Sequence, residues 1–63
     1  VSRPMKVVIP YAHGGLLARI HRDGQVLSEE YAADGIEVCA MADEQLFGQL
    51  AAQLGEHAVV WQD

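Results

Sequence analysis

An α+β domain with the element order β-α-β-β-α-β is the fold this sequence predicts, and three observations predict it. A β-branched run, Met5 to Tyr11, precedes a stretch with helical spacing; the pair Asp34-Gly35 separates two extended runs; and a second helical stripe lies between Asp43 and Gly55. Apolar periods of two and of about 3.6 residues therefore alternate along one short chain.

The first strand, MKVVIPY, is bounded by Pro4 and by the Gly14-Gly15 pair. Pro10 near its end favours an edge or a strand terminus, because proline cannot donate to a ladder. Gly14-Gly15 reads as the loop that turns this strand into a helix of about ten residues, in which Leu16, Leu17, Ile20 and His21 recur at helical spacing. Gly24 then stands where a helix C-terminal glycine is expected.

Gln25 to Ala33 is extended, and Asp34-Gly35 before Ile36 to Met41 signals a tight hairpin whose two central residues take positive φ. A two-residue loop sets Ala33 against Ile36, Tyr31 against Val38, Glu30 against Cys39 and Ser28 against Met41. Leu27, Tyr31, Ile36, Val38 and Ala40 then share the core face, with Glu29 as an unexplained polar member. Asp43 is placed to cap the second helix, Glu44 lies in its first turn, and Leu46, Phe47, Leu50 and Leu54 form its stripe before Gly55. Ala58 to Gln62 (AVVWQ) reads either as a last strand, with Trp61 at the core edge, or as a frayed C-terminus. This is the ferredoxin-like arrangement, in which two helices cover one face of a four-stranded antiparallel sheet.

The second face of such a sheet carries no helix. By the register above it presents Val8, Val26, Ser28, Glu30, Glu37, Cys39 and Met41, with Lys6 beside them, a half-apolar surface that is either solvated or a docking surface.

A chain of 63 residues makes one domain with a small core, and its single cysteine, Cys39, allows no internal disulfide. Residues 1–4 read as a linker from a preceding element and residues 5–63 as the domain. Four basic residues against nine acidic ones give a formal charge of −5, which repels nucleic acid phosphates, so DNA is not an expected partner. No apolar run approaches the roughly 18 residues of a membrane span and no signal peptide pattern opens the chain, so no membrane partner and a cytoplasmic setting are expected.

No catalytic set converges. Glu29 and Glu30 are neighbours on a strand and point to opposite faces, so they cannot flank one bond. His13, His21, His57 and Cys39 fit none of the usual metal-ligand spacings, and no metal site is expected. Gly14-Gly15 lacks the remaining residues of any nucleotide-binding glycine motif. Cys39 has neither a basic neighbour nor a histidine partner in sequence and reads as an inert thiol. Arg19 and Arg22, with His21, form a basic stripe on the first helix, either a solvated face or a contact for RNA backbone.

The residues Pro10-Tyr11, Gly15-Leu16-Leu17, Ile20-His21, Gly24, Val26-Leu27, Glu29-Glu30-Tyr31, Asp34-Gly35 and Val38 carry a resemblance. Over about half of its length the chain resembles the C-terminal domain of the HflX-type GTP-binding proteins, multidomain translational GTPases that associate with the large ribosomal subunit and act in the rescue or splitting of stalled ribosomes. The resemblance implies a fold similar to small α+β domains of translation factors such as elongation factor G. It also implies that GTP and Mg belong to an upstream domain, so that this chain needs no cofactor and serves as a non-catalytic module orienting that domain on the ribosome. The implied partners are its own GTPase domain and the large subunit, through RNA or a ribosomal protein, and the net acidity implies that most phosphate contacts come from other domains or that this chain meets a ribosomal protein. Tyr11, Leu16, Leu17, Leu27 and Tyr31 become packing positions, and Gly24 and Gly35 backbone-geometry positions.

At Cys39 the family pattern leads one to expect a basic residue, so an ion pair to Glu30 is missing. The candidate interaction residues are Lys6, Val8, Arg19, Arg22, Val26, Glu30, Cys39 and Met41. Ferredoxin-like domains of this size also serve as dimeric small-molecule sensors, the alternative expectation; dimerisation and ligand-dependent stability would distinguish it.

Overall fold

The chain forms β1 (Arg3–Ile9), a short 3-10 turn (Tyr11–His13), α1 (Gly14–Asp23), β2 (Gln25–Tyr31), β3 (Ile36–Ala42), α2 (Glu44–Leu54) and β4 (Val59–Trp61) in a computed structural model that describes all of residues 1–63. The four strands make one sheet in the order β2-β3-β1-β4, and every adjacent pair is antiparallel. This is the ferredoxin-like α+β fold the element order predicts.

Alternation builds the core. Met5, Val7 and Ile9 of β1 and Ile36, Val38, Ala40 and Ala42 of β3 are buried, while the residues between them face the other way. Ile20 from α1, Leu46 and Leu50 from α2, and Val59 from β4 complete one cluster of 11 buried apolar residues. Both helices therefore cover the same face. Asp43 caps α2 as expected, its Oδ1 accepting from the Leu46 amide at 2.8 Å, and Gly55, at φ 96°, ends that helix in a conformation favourable only to glycine.

Pro10 terminates a central strand and not an edge, since β1 lies between β3 and β4. Arg3 and Pro4, expected in a linker, belong to β1. Gly14 and Gly15 are not a loop but the first turn of α1, where a Cβ at either position would meet nothing within 4 Å. The preceding 3-10 turn does the bending. Gly24 follows α1 in extended backbone, φ −126°, and its lack of a side chain serves close approach: a Cβ there would stand 2.6 Å from the Met41 carbonyl oxygen.

The hairpin departs from the expected one. Ala32 to Gly35 form a four-residue connection in which the Ala32 amide donates to the Gly35 carbonyl at 2.9 Å, and neither Asp34 nor Gly35 has positive φ. The observed pairs are Tyr31 with Ile36, Glu30 with Glu37, Glu29 with Val38 and Ser28 with Cys39. This register differs by two residues from the expected one, so the faces of Ser28 to Tyr31 are preserved while their partners change. Gly35 is drawn into contact with Ile9, a long-range demand that two-residue turn chemistry does not include.

A β-bulge between Val26 and Ser28 makes the second difference. One extra residue reverses the alternation, so Val26 pairs with buried Ala40 and packs against the core instead of lying on the open face. Leu27 and Tyr31, expected in the core, are 54% and 69% exposed, because β2 is an edge strand.

Candidate functional site

On the open side of the sheet, Lys6 and Val8 of β1, Cys39 and Met41 of β3 and Glu30 of β2 lie where the sequence predicts, together with Pro4, Ser28, Glu37 and Val60. Cross-strand pairing sets Lys6 beside both Cys39 and Val60, and Val8 beside Glu37. Cys39 therefore sits between Lys6 and Ser28, not opposite Glu30. Glu30 instead faces Glu37, a like-charge pair relieved by the Lys6 ammonium 3.6 Å from Glu37. Such an exposed ion pair contributes only about 0.2–1 kcal/mol.

The two arginines of α1 are remote from this face. Arg19 reaches across to α2, donating to Gln49 Oε1 at 3.0 Å, and ties the helices together. Arg22 forks onto the neighbouring Asp23 at 3.2 and 3.3 Å. The hydrogen bond from Arg22 holds the Asp23 carboxyl below its ordinary range, and the same bond raises the guanidinium. The candidate residues thus divide into an open-face group, a helix pair, and Val26 packed against the core.

A further group, which sequence reasoning did not assemble, lies along the seam between α1 and β2. Glu29 projects to the helix side, where His21 of α1 stands 2.9 Å from its Oε2 and the Tyr31 hydroxyl donates to its Oε1 at 3.1 Å. This accounts for the polar member of the core-side face. The Glu29 carboxylate, by accepting that bond and by its charge, pushes the Tyr31 phenol above its ordinary value of 10.0. The Tyr11 hydroxyl donates to the Ala32 carbonyl, one residue beyond Tyr31. The signal was present in the sequence as P-Y, H-x-x-G and E-E-Y, but only the fold closes the separations between them.

At the opposite edge, Trp61 stacks on Phe47 with ring centroids 4.2 Å apart, and the Arg3 guanidinium lies 4.3 Å above the indole. Arg3 also pairs with Asp63 at 3.0 Å, which secures the C-terminal strand. One surface hollow of about 440 Å³ between the helix ends is lined by Arg22, Asp23, Asp43, Gln45, Leu46 and Gln49. No three His, Cys, Asp or Glu side chains are grouped to hold a metal ion, and no helix is long and apolar enough to cross a membrane.

With this geometry in place, no family model, curated protein or solved structure matches the chain. The fold and the side-chain groups above are the basis for a functional reading, together with the resemblance in the sequence.

Proposed function

We propose that this chain is a non-catalytic module of an HflX-type ribosome-associated GTP-binding protein, helping to orient an attached GTPase domain on the large ribosomal subunit. The observation that carries the reading is that residues from three separate stretches of the resemblance, Tyr11, His21 and Glu29 with Tyr31, adjoin one another along the α1–β2 seam. Gly24 and Gly35, also within the resemblance, occupy positions of close backbone approach. A shared set of residues that makes one structural unit is what a common domain requires. In this reading GTP and Mg are bound by the GTPase domain and not by this chain, and the setting is cytoplasmic.

The test starts from the coding sequence upstream of Val1. A reading frame with G-x-x-x-x-G-K-[ST] followed by N-K-x-D supports the proposal, and the encoded protein should then co-sediment with large subunits more weakly once this domain is removed. A start codon within a few residues of Val1 would overturn it.

A further inference from the structure

Five of the seven residues of β2 are exposed. It pairs with β3 alone, so the backbone N–H and C=O groups on its other side have no partner strand. Beyond the bulge, Ser28 to Tyr31 form a regular ladder with Cys39 to Ile36, which leaves a straight free edge at the same residues. Leu27 and Tyr31, at 54% and 69% exposure, flank that edge with apolar surface.

Its charge is one-sided. Glu29 and Glu30 project to opposite faces of the strand, and Asp34 follows in the connection to β3. Glu29 has His21 as its one basic partner and also accepts from the Tyr31 hydroxyl, and Glu30 has no cationic partner. All four Lys and Arg side chains are engaged elsewhere: Arg3 with Asp63, Lys6 with Glu37, Arg22 with Asp23 and Arg19 with Gln49. A free edge is a template for another strand, and its flanking charges decide which strand is admitted. In an antiparallel pairing of two copies centred on these residues, opposed side chains share a face, so Glu29 would meet Glu29 or Glu30 would meet Glu30, which opposes self-pairing.

We infer that the β2 edge accepts an extended, lysine- or arginine-bearing segment of a partner protein as a fifth strand. Backbone hydrogen bonds to Ser28–Tyr31 hold the segment, Glu29 and Glu30 select its cations on the two faces, and Leu27 and Tyr31 cover its apolar side chains. The inference goes beyond the ribosomal reading and does not depend on it, since it rests on the edge itself.

The test is an amide NMR titration of the full chain at low salt with the capped peptide Val-Lys-Lys-Val-Lys-Lys-Val, its glutamate counterpart, and a single-stranded oligouridylate. The lysine peptide should shift Ser28 to Tyr31, slow amide exchange along β2, and bind at least about fivefold more tightly than the glutamate peptide, a difference of about 1 kcal/mol. Glu30→Lys, a change at an exposed site without hydrogen-bonding partners, should weaken that preference with an unchanged amide spectrum elsewhere. Equal binding of the two peptides, shifts centred on another element, unslowed exchange along β2, or oligouridylate bound at the same edge would each overturn the inference. Dimers joined through β2 in sedimentation of the peptide-free chain would do so as well.

Discussion

The Gly35 backbone passes so close to Ile9 that a Cβ on residue 35 would stand 2.8 Å from the Ile9 carbonyl oxygen. The Ile9 oxygen is backbone and a Cβ is fixed by the backbone that bears it, so neither yields by a side-chain rotation. Gly35→Ala should therefore destabilise the domain by about 1–3 kcal/mol, a large share of what a core of this size provides. Gly14→Ala is the contrast, because open space surrounds that helical position and alanine favours the helix. Urea unfolding should show a lower midpoint for Gly35→Ala and an unchanged or higher one for Gly14→Ala.

The bulge in β2 gives opposite expectations for two valines that sequence reasoning placed on one face. Val26 packs against the core and pairs with Ala40, so Val26→Asp should destabilise by about 2 kcal/mol or more through an unpaired, partly buried carboxylate. Val8 lies on the open face at 37% exposure, and Val8→Asp should shift stability by no more than about 1 kcal/mol. Thermal unfolding of the two variants decides the matter: equal losses would place both valines in equivalent environments.

Tyr31 offers a pH-dependent signature of the α1–β2 seam. Its folded value is raised because the protonated phenol donates to Glu29 and the carboxylate opposes a second negative charge. A group raised on folding stabilises the native state fully below its unfolded value, and that contribution is lost as pH rises through the folded value. Ultraviolet titration should therefore place Tyr31 above 10.0 in the native chain. In Glu29→Gln its midpoint should fall back toward the ordinary phenol range. A titration unchanged by that substitution would contradict the hydrogen bond.

At the Asp23 carboxylate the sign is reversed. Asp23 is lowered by the Arg22 hydrogen bond, so the interaction is present above its unfolded value near 3.8 and is lost as pH falls through the lower folded value. Carbon-detected NMR should find the Asp23 midpoint below 3.8 and see it rise in Arg22→Gln. Both groups are exposed and their pairing is screened by solvent, so little change in overall stability accompanies the shift.

The stack of Arg3, Trp61 and Phe47 holds the short last strand against α2. Trp61→Ala should remove a half-buried indole and its contacts with both neighbours, destabilising the domain by about 2–3 kcal/mol. Amide exchange at Val59 and Val60 should accelerate more than at Val38 of the central sheet. Equal acceleration throughout would mean that β4 opens only with the whole domain.

Local chemistry made most of the elements legible in the sequence. The alternation in β1 and β3, the stripe of Leu46, Phe47, Leu50 and Leu54, the Asp43 cap and the Gly55 stop each act within a few residues, and together they imply the element order and the helix-covered face. Most of the open-face group, Lys6, Val8, Glu30, Cys39 and Met41, was legible for the same reason, because a period of two assigns faces without knowledge of partners. What only the tertiary structure decided involves atoms distant in sequence. The contact of Gly35 with Ile9 accompanies a longer connection and a register shifted by two, the bulge carries Val26 across the sheet, and the pairing of Glu29 with His21 needs α1 laid along β2. Periodicity specifies which side of an element is buried; register and polar partners depend on how separate elements meet, and no local pattern contains that information.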